Sequence, residues 1–376
     1  MKYAEVVDAF KFQVGGIGIR MEYLRCRGTT LRYLCDAFHL DRQTSALWVW
    51  DRENNRLGRS DDYGESWRFF ESQALTGAPV SAIALSADEI ICLLEDRKLV
   101  RFDPNNSLEY QLPADVFAWH GSWGGDVDDS GGLMFAEYQT DDAWPPVPIS
   151  VWRLDKDGNV PYRVLSRIAG RQPPKGEIRH FHTCCYLSEH GLWLVSSGDI
   201  GIHNRVWISK DGKSDWVECR IAVKGELAEL EGLEQLLRFT SLQEHCGQII
   251  WLTDDDLDGL GPCFVEARLV GETLQLSPRR LFGANLLRNL VRVPGQGYLG
   301  ISEAKKKSQG PEVYFIDLEG NIDGPVELPG VHGKSCPFTK SVGSRCFQNG
   351  VCFTPHLGKV VFSGRGGLIR WRLEGI

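Results

Sequence analysis

Residues 60 to 67 read Ser-Asp-Asp-Tyr-Gly-Glu-Ser-Trp, and every position of this octapeptide suits one local structure, a tight turn between antiparallel strands. Ser60 and Asp62 carry short polar side chains that hydrogen-bond nearby backbone, Gly64 can take positive φ, and Trp67 opens the returning strand with a large apolar surface. The signal recurs. Trp207-Ile-Ser-Lys-Asp-Gly-Lys-Ser-Asp-Trp216 keeps Ser209, Asp211 and Trp216, with the glycine moved to position 212. Leu154-Asp-Lys-Asp-Gly-Asn159 and Ile316-Asp-Leu-Glu-Gly-Asn321 each end an apolar run in an acidic, glycine-bearing turn. A chain that repeats such turns is committed to sheet.

Period-2 apolar runs bounded by turn residues fill most of the chain and recur in units of about 40 to 60 residues. Aligning the second strand of each unit gives seven runs: Ser45 to Asp51, Glu89 to Glu95, Gly132 to Glu137, Gly191 to Asp199, Gln248 to Asp254, Gly297 to Glu303 and Lys359 to Ser363. The turn octapeptide is an Asp-box and resembles those of the sialidase-like (BNR repeat) β-propellers, where it closes the outer hairpin of a blade. That resemblance implies an all-β fold, a single domain over residues 1–376 folded as one seven-bladed propeller, with six blades as the alternative. The last unit lacks a fourth strand and Lys2 to Phe12 lacks a partner, so the N-terminal strand is expected to complete the last blade and close the ring. One segment departs from the strand pattern: residues 225–238 have leucines at helical spacing with acids opposite, which predicts a short amphipathic helix inserted there.

The 12 Trp and 41 Gly in 376 residues suit a large, Gly-rich β body rather than a helical bundle. A net charge of -8 argues against nucleic acid as the main partner, and no apolar run reaches transmembrane length. The first residues lack the apolar core of a signal peptide, and 11 Cys without a CxxC pair read as reduced thiols, so the expected location is the cytoplasm. Gly15-Gly-Ile-Gly18 lacks the Lys and the strand-to-helix setting of a phosphate loop.

Six of the seven second strands end in an acid: Asp51, Glu95, Glu137, Asp199, Asp254 and Glu303. A ring of like charge costs stability unless cations or a ligand answer it. Glu177-Ile-Arg-His-Phe-His182 offers an answer, since His180 and His182 fall on one side of a strand and Arg179 on the other. The ordered set Glu137-Tyr138, Arg179 to His182, Gly198-Asp199 and Ser209 resembles an arrangement in bacterial sialidase-like proteins and implies a polar centre there. The resemblance stops short of a sialidase, whose N-terminal arginine motif is matched only by Gly18-Ile-Arg20.

The candidate catalytic residues are therefore His180, His182, Tyr138 and Glu137. The candidate substrate contacts are Arg179, Asp199, Arg238, Arg288, His120 and His203, because guanidinium forks suit the carboxylate of an acidic sugar. Two imidazoles on one face either share acid–base work or bind a divalent metal such as Zn with Glu137 or Asp199. Asp254, Asp256 and Asp258 match the spacing of a Ca ligand run, with Asp126 to Gly131 a looser copy. Cys184 and Cys185 read as small core residues beside the histidine pair, with the i, i+2 relation to His182 leaving a nucleophilic role open to Cys184 alone. Some propellers of this kind are polysaccharide lyases, so the expected activity is lyase or glycoside hydrolase chemistry on an acidic oligo- or polysaccharide. The alternative is a non-catalytic propeller that binds a glycan or a protein in surface-polysaccharide assembly.

Overall fold

The computed structural model describes residues 4–26, 31–39, 44–51, 53–62, 64–71, 75, 77–86, 88–94, 98–103, 106–112, 124–138, 146–158, 160–170, 177–198, 203–225, 227–228, 233–239, 242–253, 261–281, 287–293, 295–302, 312–327, 359–364 and 367–374. The chain divides into two compact units, residues 1–111 with 288–376, and residues 112–287.

The first unit holds four antiparallel sheets. Three are built in chain order: Leu31–His39, Thr44–Asp51, Arg56–Ser60 and Arg68–Phe70; Pro79–Ala84, Ile90–Leu94, Lys98–Asp103 and Asn106–Gln111; Leu287–Val293, Gly297–Ser302, Glu312–Asp317 and Ile322–Glu327. The fourth joins both ends of the chain in the order Ala4–Val14, Ile17–Cys26, Gly367–Glu374, Lys359–Gly364. The N-terminal strand thus lies at the edge of the sheet that holds the C-terminal strands, and it is joined to them through an intervening strand. It pairs with its own hairpin mate, and that mate pairs with Gly367–Glu374. The physical reason is Gly15-Gly16, both at positive φ, which makes a two-residue hairpin turn of the glycine run.

The second unit holds three sheets. Gly125–Val127, Leu133–Ala136, Val147–Leu154 and Tyr162–Ala169 form the first, and Phe181–Leu187, Leu192–Ser197, Val206–Ser209 and Val217–Glu218 the second. The third orders Gln243–His245, Gln248–Leu252, Cys263–Val270 and Thr273–Arg280, then adds Arg220–Val223 in parallel along the outside. Seven like units of four strands were expected. Six sheets have that form, and the remaining one has five strands, because the connection after Glu218 is itself extended and satisfies its backbone on the Thr273–Arg280 edge.

The middle sheet of this unit is apolar on both faces, and alternation along its strands decides which residue faces which neighbour. Cys184, Trp193, Val195 and Trp207 pack with Met134, Ile149 and Val151 of the preceding sheet. Cys185, Leu192, Leu194, Val206 and Ile208 pack with Trp251, Val265 and Leu276 of the following one. The adjacent cysteines therefore enter two different cores. Burial pushes both thiols up, so both are the small core residues the sequence suggested, and Cys184 is not poised as a nucleophile.

Within the amphipathic segment the described residues include a 3-10 helical turn over Leu233–Leu237. Leu236 and Leu237 are buried in the same core as Trp251. The carbonyls of Glu234 and Leu236 accept hydrogen bonds from Asn204 Nδ2 (3.0 Å) and Trp251 Nε1 (2.8 Å), so side chains satisfy what a longer helix would satisfy internally.

The octapeptide turn closes through Ser60 and Asp62. Gly64 N donates to Ser60 Oγ (2.8 Å), Ser66 N to Asp62 Oδ1 (2.8 Å), and Trp67 is buried. Its echo closes likewise, with Gly212 N on Ser209 Oγ (2.9 Å) and both Lys213 N and Ser214 N on Asp211 Oδ1 (2.8 and 3.0 Å). The loose calcium-like run at Asp126 to Gly131 is a turn too. Asp128 accepts from Ser130 N and Gly132 N and pairs with Arg153, while Asp126 accepts from Val127 N and Tyr186 N.

Two predictions follow from the second turn. Gly212 sits at φ +63, and a Cβ there would lie 2.5 Å from Trp193 and 2.6 Å from Met134. Gly212→Ala should cost about 2–4 kcal/mol in chemical denaturation, from backbone strain and overpacking together. Hydrogen bonds from the Lys213 and Ser214 amides hold the Asp211 carboxyl below the usual range, so its stabilisation is present above the unfolded value of about 4 and is lost as pH falls through the folded one. The stability gap between the parent and Asp211→Asn should be largest near neutral pH and shrink in acid.

Candidate functional site

Entry into the strand Phe181–Leu187 is clamped before the strand begins. Ile178 bridges Ala169, its amide donates to Ile168 O (3.2 Å), and the Glu177 carboxylate accepts from Ile168 N (2.8 Å). From this anchored start Phe181 turns into the core, edge-on to Trp207 at 6.1 Å. His180 and His182 take the opposite side, as alternation requires.

The ladder is irregular here. Phe181 faces Ser197 and Thr183 faces Ser196, so the bulge between them leaves His182 without a paired position. Bulges re-aim side chains and bend the strand. Comparable shifts fall between Tyr33 and Cys35 and between Pro79 and Ser81, so the first strands of three sheets share the device. Gly198 completes the fit: its amide donates to His180 O (3.3 Å), and a Cβ on it would lie 2.6 Å from the His182 ring. The two imidazoles stack at 6.0 Å and 21°, and the Tyr138 ring lies against His180 at 4.5 Å. Each histidine is 3% exposed, whereas Tyr138 and Arg179 are half-buried.

Glu137 is also buried, but both carboxylate oxygens serve its own sheet. Oε2 accepts from Ser150 N (3.0 Å), and Oε1 accepts from the Trp152 indole. The effect is to anchor the residue that precedes Tyr138. His203, half-buried in the connection between Leu192–Ser197 and Val206–Ser209, puts its Nδ1 2.8 Å from Glu177 O. Ser197 Oγ donates to His203 O (2.7 Å), and Asn204 reaches Glu234 O, which ties this connection to the 3-10 turn that leads into the buried Arg238.

Seven of the candidates, Glu137, Tyr138, Arg179, His180, His182, His203 and Arg238, belong to the second unit; ring contacts link Tyr138, His180 and His182, Glu137 and Arg179 adjoin these in sequence, and His203 reaches the carbonyl of Glu177, three residues before His180. Asp199, His120, Asp254, Asp256 and Asp258 lie outside the described residues, as does the Arg288 side chain. Sequence reasoning named Gly198 only as part of a Gly-Asp strand end and overlooked Ser197 and Asn204. Their signal was available in the way Ser196-Ser197-Gly198 interrupts an otherwise apolar run.

No protein-family model and no curated protein sequence matches the chain. Solved structures do. An oligogalacturonate lyase in complex with manganese matches over 99% of this chain and 98% of that one, with 13% identity and a TM-score of 0.60. An oligogalacturonate lyase from Vibrio parahaemolyticus matches over 99% and 98%, with 10% identity and a TM-score of 0.55. At such identities the likeness establishes the fold, an all-β propeller, and nothing of the chemistry. The manganese belongs to the first of those proteins. In this chain the two imidazoles stack instead of converging, and among the described residues no three His, Cys, Asp or Glu side chains could share an ion. The described residues do not fit a resident metal. No helix among them is long and apolar enough to cross a membrane.

Because Glu137 accepts two hydrogen bonds, replacing one oxygen with a donor leaves a buried N–H facing another. Glu137→Gln should therefore lose about 1–3 kcal/mol of stability, read by denaturant unfolding. Full stability in that variant would leave the carboxylate available for chemistry.

Proposed function

We propose that the protein binds an acidic oligosaccharide at the neighbourhood of Tyr138, Arg179, His180 and His203 and cleaves it by elimination. The observation that carries this reading is the preorganised polar group itself. Two buried histidines are held by a bulge and a glycine contact beneath a half-buried tyrosine, with an arginine one residue away. Burying this many polar groups costs stability, and a ligand is the usual reason to keep them. The oligogalacturonate lyases that share the fold make a uronate chain the first substrate class to test.

The chemistry asks little of a site. A guanidinium neutralises the uronate carboxylate, which acidifies the proton on the adjacent carbon; an imidazole accepts that proton, and the glycosidic oxygen leaves protonated. Arg179 and Arg238 are the candidate carboxylate contacts. Tyr138 offers a ring face to a sugar and a hydroxyl near the leaving oxygen. Binding without turnover is the second reading, favoured by the 3% exposure of His180 and His182, which leaves Tyr138 and Arg179 as the groups a ligand meets first.

Incubation with oligogalacturonates tests both. Elimination leaves a carbon–carbon double bond conjugated to the carboxylate, so product appears in ultraviolet absorbance. Arg179→Ala should weaken binding about 10- to 100-fold, the worth of a charge-assisted fork, with melting little changed. Absence of binding to any uronate oligomer would remove the reading, and binding without an absorbance change would leave the second.

A further inference from the structure

We infer that His203 is the proton acceptor of this site, presented as the Nδ1–H tautomer with Nε2 directed at the substrate; this rests on the eliminative reading above. A backbone carbonyl can only accept, so the 2.8 Å approach of His203 Nδ1 to Glu177 O requires the hydrogen on Nδ1. In the neutral ring the lone pair is then on Nε2, the nitrogen able to take a proton.

The surroundings hold this state. Glu177 cannot swing away, because its carboxylate bonds Ile168 N (2.8 Å) and the next residue bridges Ala169. The His203 carbonyl is held by Ser197 Oγ (2.7 Å), and Asn204 is held by Glu234 O (3.0 Å). A ring fixed at one nitrogen, on a backbone fixed on both sides, is what an acid–base group needs in order to meet a proton in a defined direction. His180 and His182 are less suited. They are 3% exposed with Tyr138 laid over His180, whereas His203 is half-buried. The stretch containing His203 nonetheless belongs to the same neighbourhood, since Glu177 binds it and His180, three residues on, binds Gly198.

The step balances without an added reagent. His203 Nε2 takes the proton from C5 of a uronate unit, and the C5–H electron pair becomes the C4–C5 double bond. The C4–O bond breaks, its pair stays on the glycosidic oxygen, and that oxygen takes a proton from water or from the Tyr138 hydroxyl, which then regains one from solvent. His203 then returns its proton to solvent.

His203→Asn is the decisive variant, because an Asn amide can keep the hydrogen bond to Glu177 O while removing the Nε2 base. With trigalacturonate as the probe, kcat should fall at least about 100-fold, the usual worth of a general base, with KM and the melting temperature nearly unchanged. A ring that merely anchors the connection would leave kcat intact in this variant, and that result would overturn the inference. Imidazole 15N shifts of histidine-labelled protein, assigned with the same variant, should give Nδ1–H for the neutral His203 ring; Nε2–H would also overturn it. Failure of the parent to cleave trigalacturonate would overturn the inference by removing the eliminative reading, an outcome distinct from a parent and variant that both turn over.

Discussion

The first three strands of the sheet that starts at Phe181 have no solvent face, and the organisation of the second unit depends on that burial. Trp193 and Trp207 fill one side, and Leu194, Val206 and Ile208 the other. Each large apolar side chain buried this way contributes roughly 1.5–3 kcal/mol, and a slip of one residue would exchange the two faces at once. The register is therefore strongly specified. A strand this firmly held can carry an irregular end, and the bulge at His182 sits there.

The polar neighbourhood is built on that end by backbone bonds more than by side-chain pairing. Glu177, Ile178 and His180 contribute carbonyls or bridges, and Gly198 contributes an amide and the absence of a Cβ. Backbone is the stiffest part of a sheet, so the rings attached to it are held in place through it. Glu137 plays the same part from the neighbouring sheet. Its charge goes to Ser150 and Trp152, which makes it a support for Tyr138 and not a free acid.

Of the acids at the ends of second strands, Asp51 and Glu137 lie among the described residues, and each is engaged locally. Recurrence at one position suggested a charged ring awaiting cations. Asp51 pairs with Arg56 at the start of the next strand and accepts from Asn54 in the turn between them, and Glu137 accepts from Ser150 N and the Trp152 indole of its own sheet. Local hydrogen bonding gives a strand-end acid an adequate reason to exist. Arg153 follows the same logic between Asp128 and Asp155, where two carboxylates outweigh the burial that disfavours its charge.

What the sequence determined by itself was the part governed by short-range rules. Alternating apolar runs gave strands, and Ser60 with Asp62, and Ser209 with Asp211, gave turns closed by their own side chains, because such bonds form within a few residues of where they are written. The pairing of His180 and His182 on one face was legible for the same reason. Only the tertiary structure decided that Gly15-Gly16 makes a hairpin whose second strand meets the far end of the chain, and that Arg220–Val223 adds a fifth strand. It alone decided that residues 233–237 form a 3-10 turn satisfied by Asn204 and Trp251, and that His203 is fixed by a carbonyl 26 residues away. Each of these rests on a hydrogen-bonding group finding a partner distant in sequence. The partner is chosen by how sheets pack, and no local pattern records that choice.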